Sequence, residues 1–243
     1  RRLVVLDSSF NPPTRAHAEM ARSALKWASS SSSSSEGTRL MLLLAVNNAD
    51  KAPKPASFPV RLGMMEGFGR DLLGSLELEG GVRPEIDLAV TKMPYFNDKA
   101  RVIGESGFYS SWGGQEPEQV FLAGFDTVIR IFNPKYYGEG GMRAALGPFF
   151  ERARLRVTMR TDDGWGGEAE QREYVRGLGE GKLDEVGGDV AWAGRVDLVE
   201  GTGDGVSSSK VREMVKTGEK DGLERLVDEE VMGWIEREGL YRE

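Results

Sequence analysis

The chain has 243 residues, 39% of them hydrophobic, with a formal net charge of −7, a single histidine and no cysteine. This length supports one sizeable core, and the missing cysteines exclude disulfides, thiolate zinc sites and cysteine nucleophiles, while one histidine excludes a histidine cage and leaves a hard, oxygen-bound ion such as Mg²⁺ as the metal to expect. The acidic balance argues against a nucleic-acid coat but not against a small anionic ligand in a cleft, and no stretch approaches the ~20 apolar residues that span a bilayer.

The first apolar run, Leu3 to Leu6, is rich in β-branched residues and ends in turn formers, which predicts a strand. The turn runs from Asp7 to Pro13, and the stretch from Thr14 to Trp27 is a helical pattern with Thr14 as N-cap. His17 falls in the first turn and shares a face with Met20, Ala21 and Ala24. A strand, a tight turn and a helix start form an anion site, because free backbone N–H groups and the helix dipole converge there. Residues 29–38, with seven consecutive serines, read as a low-complexity loop. The continuous run Leu40 to Val46 predicts a central parallel strand, followed by a polar, proline-rich loop carrying Lys51 and Lys54.

A helix is expected from near Pro59, with Val60, Met64, Phe68 and Leu72 at four-residue intervals. Ile86 to Val90 alternates as an edge strand does. Val120 to Ala123 reads as a short strand leading through Gly124 and Asp126 into a helix over 127–132. A further strand is expected over 155–159. Residues 160–190 are glycine-rich and acidic and read as an irregular insertion with a short helix near 168–176. Val196 to Val199 is the last strand, and short helices fill 207–243. The alternation predicts an α/β fold, Rossmann-like with a mainly parallel sheet, as one domain over 1–243, with ligands outside the carboxyl ends of the strands.

Gly205 to Met214 reads as a second anion cradle. Ser207, Ser208 and Ser209 at a helix start offer hydroxyls and unpaired N–H groups, and Lys210 and Arg212 add positive charge. With the first stretch it carries a resemblance. Ser9-Phe-Asn-Pro-Pro-Thr-Arg-Ala-His17 resembles the G-S-F-N-P-x-T-x-x-H motif of the nicotinamide/nicotinate mononucleotide adenylyltransferases, with Ser8 where that family has glycine. Val206 to Arg212 is similar to its I-S-S-T-x-x-R motif, Leu122 to Asp126 to its G-A-D segment, Arg61-Leu-Gly-Met64 to its R-x-x-M, and Trp234 to Tyr241 to its C-terminal helix and L-Y ending. Phe125 to Tyr137 suggests a divergent, fungal-type branch.

The resemblance implies a nucleotidyltransferase that uses ATP and a pyridine mononucleotide, with Mg²⁺ held mainly by the ATP phosphates and water. It implies ATP contacts from Ser9, Phe10, Asn11, Thr14 and His17, from Gly124 and Asp126, and from Ser207, Ser208, Ser209 and Arg212. His17 and Arg212 would be the catalytic groups. Lys51 and Trp112 are the candidates on the mononucleotide side, Trp112 as the ring-stacking residue. Neither nucleic acid nor membrane is expected as a partner, and the sequence carries no signal for oligomeric state. No secretory signal is visible, so the expected location is cytoplasmic, nuclear or both. The competing readings are an adenylyltransferase for another phosphate ester, and a nucleotide-binding protein or ATPase of the same fold without efficient transfer.

Overall fold

The apolar run at the start of the chain forms β1 (Arg2–Ser8), in which Leu3 to Leu6 are buried. A computed structural model describes residues 1–30, 37–46, 56–79, 84–112, 114–161, 164–201, 205–219 and 221–242. Strands β2 (Thr38–Ala45), β3 (Glu85–Thr91), β4 (Glu118–Gly124), β5 (Ala153–Thr158) and β6 (Val196–Val199) join β1 in one sheet, in the order β3-β2-β1-β4-β5-β6. The β2–β3, β4–β5 and β5–β6 pairs are parallel. The order doubles back at β1, and open parallel sheets of this kind present ligand sites at the carboxyl ends of such strands. The fold is the expected Rossmann-like α/β arrangement. No helix among the described residues is long and apolar enough to cross a membrane.

The chain divides into two compact units. One comprises residues 1–4 and 95–205, the other residues 5–94 and 206–243. In the second unit, β2 is buried along its last six residues, as a strand covered on both faces should be. Its helices are α1 (Arg15–Ser30), α2 (Phe58–Leu78), α7 (Ser208–Thr217) and α8 (Glu229–Arg237). Helix α2 buries Met64, Phe68 and Leu72, three of the four residues whose spacing predicted it. It meets α8 closely: a Cβ on Gly63 would lie 2.4 Å from the Trp234 ring.

The first unit holds α3 (Phe96–Glu105), α4 (Phe125–Ile131), α5 (Gly141–Arg152) and α6 (Glu168–Gly179). Phe132, Phe150 and Trp192 stack there, with Phe150 and Trp192 5.4 Å apart between ring centroids. Helices α3 and α5 have no counterpart in the sequence reading; Pro148 inside α5 masks its pattern.

Two expectations need correction. The low-complexity loop was placed from residue 29, but α1 continues through Ser30, because the buried stripe of Ala21, Ala24, Leu25 and Ala28 extends that far; 31–36 lie outside the described residues. The segment 160–190 is more regular than an irregular insertion. Its glycines with positive φ, Gly164, Gly166, Gly181 and Gly187, lie outside α6, where left-handed turns require them. The wholly buried Gln171 ties α6 down, accepting from Arg160 N and donating to the carbonyls of Arg160 and Gly166.

Candidate active site

The loop from Ser8 to Thr14 leaves the carboxyl end of β1 and reverses at Phe10, whose φ is +46°. That left-handed turn drives the Phe10 ring into the core, against His17 and Phe68 at centroid distances of 5.9 and 6.0 Å. Phe10 is fully buried, so its ring serves packing and is not open to a ligand. Thr14 is almost as deeply buried, and its side chain serves His17 instead of solvent.

His17 is half-buried and densely surrounded. Its Nδ1 lies 3.1 Å from Thr14 N, which donates to it, and 2.8 Å from Thr14 Oγ1. A ring nitrogen that accepts from a backbone N–H carries a lone pair, so the ring proton sits on Nε2. Nε2 in turn lies 3.1 Å from Ser8 Oγ. Burial pushes the imidazole pKa down to about 4, so the ring is neutral at physiological pH. It is a hydrogen-bond donor there, not an acid.

Three elements of the same unit grip this loop. From α7, Ser208 Oγ donates to Pro12 O at 2.8 Å and Arg212 Nη1 to Asn11 O at 2.7 Å. Beyond α8, Tyr241 OH donates to Asn11 Oδ1 at 2.8 Å, and burial raises the Tyr241 pKa. From α2, the buried Arg61 donates to Ser9 O at 3.3 Å, Ala45 O at 3.2 Å and Val46 O at 3.4 Å, tying the ends of β1 and β2 together. Helix α1 is fixed separately, through Arg15 N to Leu226 O at 2.8 Å.

The three serines of the second motif divide their work. Ser207 caps α7 by accepting from Lys210 N, Ser208 anchors the loop, and Ser209 Oγ accepts from Arg212 Nη2 at 3.1 Å. The N–H groups of Ser208 and Ser209 fall in the first turn, where a helix has no carbonyls for them. With Arg212 and the helix dipole they make an anion-binding end. The structure therefore brings together Ser9, Asn11, Thr14, His17, Ser207, Ser208, Ser209 and Arg212. Ser8, Arg61 and Tyr241 complete the arrangement; Arg61 and Tyr241 stood inside quoted motifs, but sequence reasoning gave them no role.

In the other unit, Gly124 caps α4 and Asp126 sits in its first turn at the carboxyl end of β4. The Asp126 carboxylate pairs with Arg130 at 3.4 Å and Arg160 at 3.5 Å. A Cβ on Gly124 would come within 2.7 Å of Asp126 Oδ1, so glycine lets the carboxylate fold back over the strand end. Trp112 lies in the segment before β4, whereas Asp126 follows that strand. Its ring packs edge-on against buried Tyr109. The Lys51 and Lys54 candidates lie outside the described residues.

No family model matches the chain. It is 32% identical over 243 residues, 99% of its length and 86% of the relative's, to a Schizosaccharomyces pombe protein named "Putative nicotinamide mononucleotide adenylyltransferase". Among solved structures, the Plasmodium falciparum nicotinic acid mononucleotide adenylyltransferase complexed with NaAD superposes with a TM-score of 0.60, covering 99% of this chain and 97% of that one at 13% identity. The same enzyme complexed with APC gives a TM-score of 0.59 at the same identity and coverage. The structural likeness shows the shared fold, and the fission-yeast relative shows the kinship: the chain belongs to the nicotinamide/nicotinate mononucleotide adenylyltransferase family.

Proposed function

We propose that the protein transfers AMP from ATP to nicotinamide or nicotinate mononucleotide, forming the corresponding dinucleotide and pyrophosphate. The observation that carries this reading is the loop 8–14, clasped by Ser208 and Arg212 of α7 with His17 neutral behind it. The 32% identical relative bears the name of that activity, and the solved neighbours are described with NaAD and APC bound.

The residues suit the chemistry. A phosphate oxygen of the mononucleotide attacks the α-phosphorus of ATP, the bond to the β-phosphate bridging oxygen breaks, and pyrophosphate leaves. The attacking oxygen is already anionic, so no strong general base is needed, and positioning with charge stabilisation supplies the catalysis. His17 offers a neutral donor, and Arg212 with the first turn of α7 offers positive potential for the leaving pyrophosphate. Among the described residues no group of three or more His, Cys, Asp or Glu could hold a metal ion. Mg²⁺ would arrive on the triphosphate, where it would neutralise phosphate charge.

The test is incubation with MgATP and each mononucleotide, following dinucleotide and pyrophosphate together. Equal amounts of both are expected. Release of ADP or free phosphate without dinucleotide would sink the transferase reading. His17→Ala is expected to fold and to lose roughly 10²–10³ in turnover, the scale for one oxyanion donor.

A further inference from the structure

The residue that departs from the family motif, Ser8, has an unusual set of bonds. Its Oγ lies 3.1 Å from His17 Nε2, and it accepts from Phe10 N at 3.2 Å. Thr14 N donates to the opposite nitrogen of the imidazole, which places the ring proton on Nε2 and makes Ser8 Oγ its acceptor. A hydroxyl has two lone pairs and one hydrogen. Both lone pairs of Ser8 are therefore engaged, by Phe10 N–H and His17 Nε2–H, and what remains is the O–H as a donor. Ser8 keeps partial exposure at the carboxyl end of β1, in the loop that Arg212 and Ser208 hold.

We propose that the Ser8 hydroxyl is the group that donates directly to the ATP phosphates, with His17 behind it as its positioning residue. Two donors feeding one oxygen polarise its O–H, so the hydroxyl is a stronger donor than an isolated serine. The imidazole keeps its role at the phosphates but exerts it through one intervening atom. The serine thus fills the space a glycine would leave open, and replaces a direct histidine contact by a relay. The inference rests on the nucleotide site proposed above, not on the identity of the acceptor mononucleotide.

The experiment measures MgATP binding by calorimetry for the wild type, Ser8→Ala, Ser8→Thr, His17→Ala, His17→Gln and the Ser8→Ala/His17→Ala double variant. A hydrogen bond to a charged group predicts about 10- to 100-fold weaker binding for Ser8→Ala. His17→Ala should lose no more than that, and the double variant should be no worse than Ser8→Ala within about threefold, since the two act as one unit. Ser8→Thr, which keeps the hydroxyl, and His17→Gln, which keeps a side-chain N–H, should recover most of the affinity. ¹⁵N spectra of the single histidine should show the neutral Nε2–H tautomer at pH 7, free of overlap. Wild-type affinity in Ser8→Ala, multiplying losses in the double variant, or an Nδ1–H tautomer would each overturn the relay. A wild type with the expected binding pattern that forms no dinucleotide would overturn the transferase reading and leave Ser8 in place.

Discussion

Arg61→Met removes a buried guanidinium while keeping side-chain length, and it tests whether three carbonyl bonds hold the loop 8–14 to the end of β2. Arg61 is 6% exposed, and its bonds to Ser9 O, Ala45 O and Val46 O span 3.2–3.4 Å. A charged donor at good geometry contributes ~1.5–3 kcal/mol, but these bonds exceed the ~2.9–3.0 Å optimum, so about 1 kcal/mol each is the fair figure. Against that stands a desolvated charge whose Nε has no hydrogen-bond partner among the described residues, and burial already lowers its pKa. Relief of that penalty offsets ~1–2 kcal/mol, leaving a net loss of about 1–2 kcal/mol. The loss in function should be larger than the loss in stability, because freeing Ser9 O and the end of β2 loosens the loop 8–14, where the proposed function places the ATP phosphates. Urea unfolding followed by tryptophan fluorescence measures the first, with the m-value unchanged. Steady-state turnover with MgATP measures the second, where a drop of tenfold or more is expected. Arg61→Lys keeps the charge but cannot span three carbonyls, so it should resemble the Met variant. If Arg61→Met retains wild-type midpoint and turnover, the carbonyl bonds hold nothing. If Arg61→Lys alone restores both, the charge matters and the bonds do not.

The neighbours of the His17 ring, Ser8, Thr14, Phe10 and Phe68, are uncharged. Its pKa, depressed from 6.5 to about 4 by burial, means that the unfolded state binds more protons between those values. Stability is then fully present above pH 6.5 and lost as pH falls toward 4, by up to about 3 kcal/mol; His17→Gln should flatten that slope, and identical pH curves would refute it. Gly63→Ala gains up to ~1 kcal/mol in helix propensity but drives a Cβ to 2.4 Å from the Trp234 ring, so a net loss of about 1–2 kcal/mol is expected. A raised melting temperature would contradict the close α2–α8 packing. Tyr241→Phe leaves Asn11 Oδ1, on a residue only 5% exposed, without its donor. About 1–3 kcal/mol of stability and a several-fold rise in KM for ATP are expected, and unchanged calorimetry and kinetics would show the bond to be incidental.

What was legible in the sequence was local. The strand, turn and helix around His17 lie within about thirty residues, and each step has its own marker: β-branched apolar residues, prolines and a capping threonine. The last strand, Val196 to Val199, was bounded as observed for the same reason. Arg61 stood in a quoted motif, yet its function was invisible because backbone carbonyls leave no mark in a sequence. Trp112 was chosen by residue type alone, and its edge-on packing against Tyr109 leaves no mark in the sequence. Ser8 stood out in the sequence only as a serine where the family has glycine, and its bonds to His17 and Phe10 become visible in the structure.

The loop of residues 8–14 is synthesised long before its anchors. Ser208, Arg212 and Tyr241 lie 196, 201 and 230 residues beyond the groups they bind. At ribosomal speeds of roughly 5–20 residues per second, the Phe10 ring and its neighbours wait on the order of 10–40 s for these partners. During that interval nothing from α7 or α8 can close the unit that begins at Val5. The nascent protein therefore passes through a stage in which the first unit, apart from its opening residues, is continuous from Tyr95 to Gly205 and can complete itself while the second unit cannot. Closure of the loop should emerge only once Tyr241 has left the ribosome, which makes it a natural readout for a late step of folding.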